Sequence, residues 1–210
     1  MQPLVSCLCP TKNKPSILIN AIACFKAQTY PNTELILVTD EESEYKDIIE
    51  HFVCDNIKLV LAPHKSTISA LRNISVDNAK GEYVVTWDDD DIHHRDRLRI
   101  QYAAIAESSY SACYLKRVLV HDMVGGNKGI SKDRMGMELS MFALKESMPR
   151  YDETKRSGTS LIAEDIAIKR FFISTGKVML INEPHLYIYN IHSDNTCEYN
   201  NLRNVIDVII

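Results

Sequence analysis

The sequence has no apolar run near the roughly 20 residues that a membrane helix needs, so no membrane span is expected. Nor is there an excess of positive charge. Lys and Arg total 24 against 28 Asp and Glu, a net charge of -4. That balance argues against a protein held mainly on nucleic-acid phosphates, although a local patch stays open. The six cysteines, at 7, 9, 24, 54, 113 and 197, never form a Cys-x-x-Cys pair. They suit reduced, buried thiols better than a disulfide framework or a zinc site. Both common nucleotide fingerprints, Gly-x-x-x-x-Gly-Lys-Ser/Thr and Gly-x-Gly-x-x-Gly, are missing. Internal repeats, low-complexity tracts and interdomain linkers are absent too. The opening MQPLVSCLCPTKNK places polar and proline residues where a signal peptide would be apolar, and the expected location is cytoplasmic.

What is present is an alternation of buried strands and amphipathic helices. LVSCLC (4–9), ELILV (34–38), IKLVLA (57–62) and EYVVTW (82–87) read as strands. Between them lie a helix opened by Pro15 with Ile17, Ala21, Cys24 and Phe25 on one face, and one through Tyr45, Ile48, Ile49 and Phe52. A third, capped by Ser66 or Thr67, carries Ile68, Leu71, Ile74 and Val76 and is stopped by Gly81. This pattern predicts an α/β fold with a mostly parallel central sheet and helices on both faces. Further on, 95–107 reads as a helix, 112–120 as one strand, and 121–134 as a loop. Residues 139–147 fit helix or strand, 163–175 a helix ended by Gly176, and 178–182 and 185–192 two strands. LRNVIDVII, at the end, suits a short helix or an oligomer contact.

The fourth strand runs directly into four aspartates, Asp88 to Asp91, then His93 and His94. Two like charges about 4 Å apart repel by about 4 kcal/mol at the effective dielectric of a partly buried site. The acids therefore either splay into solvent or gather around something positive. In open parallel sheets ligands bind beyond the carboxyl ends of the strands. Pro10 and Thr11 end the first strand, and Thr39 and Asp40 end the second. A carboxylate cluster there, with a histidine available, can bind magnesium or manganese and through it a diphosphate. His93 and His94 read as loop residues, and Trp87 as core or a wall beside a nucleotide.

Five stretches, VSCLCPTKNK, AIACFKAQTYPNTELILVTD, LRNISVDNAKGEYVVTWDDDDIHHRDRL, AEDIAIKRF and YIYNIHSDNT, occur in the order and spacing of glycosyltransferase family 2. The chain resembles a small member with the GT-A fold, most densely over 4–101 and again over 163–196. The resemblance implies a nucleotide-sugar-binding half at 1–101, an acceptor-side and catalytic half at 102–196, and a tail at 197–210. It implies nucleoside contacts at Pro10, Thr11 and Asp40, and a nucleotide contact at Arg72, for which an ion pair within its own helix is the alternative. Asp88 and Asp90 match the family's Asp-x-Asp element, Asp88 at the ribose or the ion's water shell and Asp90, with His192, at a divalent Mn2+ or Mg2+ ion; Asp89 is expected among the nucleotide-binding residues. Asp165 matches the general base of an inverting transfer. Thr39-Asp40 stands where relatives usually have Asp-Asp.

The expected function is metal-dependent transfer of a sugar from a nucleotide sugar, a uridine diphosphate sugar first among them, to a hydroxyl on a saccharide. Alternatives are the same chemistry on a modified DNA base, a sugar-nucleotide nucleotidyltransferase, and a noncatalytic nucleotide-sugar-binding module. The nucleotidyltransferase is disfavoured because PTKNKPS carries lysines but no glycine. A homo-oligomer is left open by the apolar end.

Overall fold

The computed structural model describes residues 2–12, 15–41, 45, 50–133, 135–154, 164–193, 195 and 205–209. Four parallel strands make up one side of the large sheet: β1 (Val5–Pro10), β2 (Thr33–Thr39), β3 (Ile57–Leu61) and β4 (Tyr83–Thr86). β1 lies between β2 and β4, and β3 pairs with β2. Beyond β4 the sheet continues through β9 (Phe142–Leu144), antiparallel to both neighbours, then β6 (Ala112–Leu115) and β10 (Val178–Ile181). The seven-stranded order is β10-β6-β9-β4-β1-β2-β3.

β1 and β4 are buried along their whole lengths, and β2 along all but its first residue. This requires helices on both faces. On one face α1 (Pro15–Lys26) and α3 (Arg97–Ile105) pack Leu18, Ile22, Phe25 and Leu98 against Cys7, Cys9 and Val85. On the other, α2 (Ile68–Asn78) sets Leu71 on Ile36 and Val38, and α4 (Glu164–Ser174) sets Ile168 and Phe172 near Leu8 and Val84. Thr67 caps α2 through its side chain, as expected, and Gly176, at φ 67°, follows α4 in the left-handed region.

Several expectations change. The α1 face is built on Leu18, Ala21, Ile22 and Phe25, with Ile17 and Cys24 only half-buried. In α2 it is Ser69, Leu71, Arg72, Asn73 and Ser75 that are buried, and the helix ends at Asn78, ahead of Gly81. Tyr45 and 50–52 are helical, while Ile48 and Ile49 lie outside the described residues. The single strand expected over 112–120 is two: β6 joins the large sheet, and β7 (Leu119–Asp122) joins a second one. The expected loop at 121–134 contains a hairpin from β7 into β8 (Asn127–Ser131). Residues 206–209 form a strand, β12 (Ile206–Ile209), antiparallel to β8, rather than a helix. With β11 (Tyr187–Ile191) and the short β5 (Ile92–His93), they make a five-stranded sheet ordered β12-β8-β7-β11-β5. Its core holds Leu115, Val118, Val120, Leu186, Tyr187 and Ile191. Cys7, Cys9 and Cys113 are free and buried, Cys24 half-buried and Cys54 exposed; Cys197 lies outside the described residues.

Candidate active site

The carboxyl ends of β1, β2 and β4 lie side by side, and each delivers polar residues to the same edge. At the end of β1 the Thr11 hydroxyl donates to Asp89 Oδ2 at 2.6 Å and lies 3.1 Å from the Tyr45 hydroxyl. Past β2, Asp40 is buried; its Oδ2 pairs with Lys12 Nζ at 3.0 Å, and its Oδ1 has no partner among the described residues. Pro10 closes β1 against Val38 of β2.

The four aspartates resolve their mutual repulsion by taking separate partners. Asp88 Oδ1 accepts from Arg72 Nη2 at 3.2 Å. Asp89 takes the Thr11 hydroxyl. Asp90 Oδ2 lies 3.0 Å from His192 Nε2, and the Asp90 carbonyl accepts from the Asn190 side chain at 2.7 Å. Asp91 is buried, accepting from the Tyr187 hydroxyl and from the Asn190 backbone N–H. It thereby ties the acidic turn to β11 and brings His192, one residue past that strand, onto Asp90. Burial, with Asp90 and Asp88 nearby, pushes the Asp91 carboxyl well up.

Arg72 stands between that turn and the first turn of α4. Its Nη2 reaches Asp165 Oδ2 at 3.0 Å as well as Asp88, and its Nε reaches Glu164 Oε1 at 3.3 Å. None of these acids is on its own helix. One guanidinium thus faces three carboxylates in a buried setting, so the site holds an excess of negative charge. Burial dominates for Asp165: its carboxyl is pushed up to about 8, against the pull of Arg72 and with Glu164, Asp88 and Glu138 adding to the rise. Asp88 moves up for the same first reason, opposed by Arg72.

His93, expected as a loop residue, is buried and stacked on Trp87 with ring centroids 3.9 Å apart. Arg97, wholly buried, points Nη1 at His93 Nδ1, 2.6 Å away, while His93 Nε2 lies 3.2 Å from the Asp88 carbonyl. An arginine can only donate and a carbonyl only accept, so the ring is fixed as the neutral Nε2–H form. Burial lowers its pKa in the same sense, and the Arg97 charge adds to it. Arg97 also donates to Gln101 and lies over the Trp87 and Tyr187 rings. This network meets the acidic turn through the His93 contact with the Asp88 carbonyl, and the reading of His93 as a loop residue does not contain it. The signal for it was a polar stripe, His93, Arg97 and Gln101, repeating every four residues.

Among the described residues no group of three or more His, Cys, Asp or Glu could hold a metal ion. Asp90 and His192 are a pair. Magnesium and manganese commonly take one or two protein donors and complete their shell with water and substrate phosphates, so the pair fits such an ion. No helix among the described residues is long and apolar enough to cross a membrane.

Residues 6–173 match the model of glycosyl transferase family 2, a stretch that reaches α4 and stops short of His192. An uncharacterised glycosyltransferase of Haemophilus influenzae is 29% identical over 124 residues, 54% of this chain and 50% of the relative. Glycosyltransferase GlyG of Streptococcus pneumoniae is 23% identical over 90% of this chain and 71% of its own length. Among solved structures, Staphylococcus aureus TarS 1-349 in complex with UDP-GlcNAc superposes with a TM-score of 0.70 at 14% identity, covering 93% of this chain and 60% of that one. The chain thus spans half to about 70% of the length of these proteins. With the family model covering most of the sequence and the fold shared with TarS, the chain belongs to glycosyl transferase family 2 and has its GT-A fold.

Proposed function

We propose that this protein transfers a sugar, with inversion, from a uridine diphosphate sugar to an acceptor hydroxyl on a saccharide, with Mn2+ or Mg2+ as cofactor. One observation carries the reading. Buried Asp165 stands beside the acidic strand end, joined to Asp88 through a single arginine, with Asp90 of the same turn paired to His192 from the end of β11. A base and a diphosphate-binding edge are what a single-displacement transfer needs. Similar proteins point the same way: WfgD of Escherichia coli is a UDP-Glc glucosyltransferase, and TarS was solved with UDP-GlcNAc.

In this reading Pro10, Thr11 and Asp40 hold the nucleoside, Asp88 serves the ribose or the ion's water shell, and Asp89 lies beside them, bonded to Thr11. Asp165 takes the acceptor hydroxyl's proton as that oxygen bonds to the anomeric carbon, while the bond to the diphosphate breaks and its electron pair leaves with the phosphate oxygen. Proton transfer of this kind contributes about 10²- to 10⁴-fold. Asp90 and His192 would hold the divalent ion, which when bound offsets the charge of the departing diphosphate.

Calorimetric titration with UDP, in manganese and again in chelator, tests the donor side. Binding should require the metal, and Asp90→Ala and His192→Ala should each weaken it at least about tenfold. Asp165→Asn should abolish transfer with UDP affinity nearly unchanged. UDP binding that ignores both the metal and these substitutions would sink the proposal.

A further inference from the structure

The two oxygens of Asp165 are not equivalent. Oδ2 accepts from Arg72 Nη2 at 3.0 Å. Oδ1 is buried with no hydrogen-bond partner among the described residues. Buried carboxylate oxygens are ordinarily satisfied, so an open one marks a place where a donor is missing. Arg72 is itself tightly held: its side chain is 7% exposed, it bonds Asp88 and Glu164 too, and it lies over the Tyr151 ring.

Resting on the reading of Asp165 as the base, we infer that Arg72 is a positioning residue for the transfer, anchoring Oδ2 so that Oδ1 is the atom that receives the acceptor's proton. The acceptor O–H then donates to Oδ1 before it breaks. Its oxygen bonds to the anomeric carbon, its proton stays on Oδ1, and the electron pair of the broken sugar–phosphate bond leaves with the diphosphate. Because one Nη2 spans Asp165 and Asp88, the same contact sets the distance between the base and the diphosphate-binding turn. A planar, multi-donor guanidinium can hold three acids at once in this way; an ammonium is a single point.

The groups facing Asp165 decide what losing Arg72 does. Glu164 lies beside it on α4, Asp88 past β4, Glu138 in the 3-10 turn Glu138–Ser140, and Tyr151 and Tyr114 add hydroxyls. Lys169, one turn along α4, is ion-paired to Glu138. Removing Arg72 therefore leaves Asp165 among acids with no direct cation.

The test is carbon-13 NMR of protein labelled at the aspartate carboxyls, with Asp165 assigned through Asp165→Asn, in the wild type, Arg72→Gln and Arg72→Lys. UDP affinity in manganese is measured alongside. The Asp165 titration should move up by at least about one pH unit in Arg72→Gln and largely return in Arg72→Lys, which restores a positive charge beside it. The lysine variant keeps the charge and guards against a glutamine variant that does not fold. An unmoved Asp165 titration with a tenfold loss of UDP affinity would make Arg72 a nucleotide contact and overturn the inference. Full turnover by Asp165→Asn would overturn it too, through the reading on which it rests. The two failures are separable, because the titration reports on Arg72 without any catalysis.

Discussion

Asp165 shows how one residue's surroundings set its chemistry. Its carboxyl reaches about 8 because burial outweighs the single adjacent arginine. A base is most useful with a pKa near the working pH, high enough to take a proton yet ionised in a useful fraction. If Asp165 is the base, kcat/KM should climb about tenfold per pH unit below pH 8 and level off above it, and the limb should vanish in Asp165→Asn. A flat profile from pH 6 to 9 would place the essential base elsewhere. The same shift has a stability consequence of opposite direction. A carboxyl held above its usual range favours the fold fully at acid pH, below the ordinary carboxylate range, and that contribution is lost as pH rises through about 8. Activity attributable to Asp165 therefore grows over the range in which its support of the fold declines.

Among the elements, α2 connects the two sides of the site. Arg72 reaches the acids, and the next residue, Asn73, reaches the chain after β9. The Asn73 side chain accepts from the Tyr151 backbone N–H at 2.9 Å and donates to the Tyr151 carbonyl at 3.0 Å and to Glu153 at 2.7 Å. It replaces a strand partner for a segment that has none. Asn73→Ala would leave both buried backbone groups of Tyr151 unsatisfied, at a cost of about 2–3 kcal/mol. Urea unfolding should show that loss, and limited proteolysis should cut faster at 151–154. A loss below about 0.5 kcal/mol would mean that Tyr151 is held by other contacts. The sequence gives Arg72 a nucleotide contact or an ion pair within its own helix, whereas its acids come from the strand end and α4, and the apolar pattern says nothing of Asn73, which α2 buries beside Leu71. The strand alternation was legible, since β1, β2 and β4 are short, continuous apolar runs, the pattern of a sheet covered on both faces. The break within 112–120 was not. Both halves favour strand, and only tertiary packing sends them to different sheets across Lys116 and Arg117. The burial of His93 is hidden for a related reason: its partners, Trp87 and Arg97, reach it from just past the end of β4 and from the helix after it.

At the scale of the whole molecule, two sheets share one site. The large sheet supplies the strand ends; the small one supplies His192, through β11. Asp91 joins them, bonded to Tyr187 and Asn190 of β11. Within the small sheet β11 pairs with β7 and β5, whereas β8 and β12 lie farther out. This arrangement separates support from function. At Gly129 of β8 an added Cβ would stand 2.3 Å from the Val208 carbonyl oxygen and 2.7 Å from an Ile206 methyl carbon of β12, so a side chain there must push β12 away. Gly129→Val should cost about 1–3 kcal/mol through this overpacking and lower Tm. If β12 only braces the sheet, manganese-dependent UDP affinity should stay within about twofold, because the strand leading to His192 keeps both of its own neighbours. An affinity that falls together with Tm would mean that the outer strands set the position of His192, and that the small sheet responds as a single unit out to its edge.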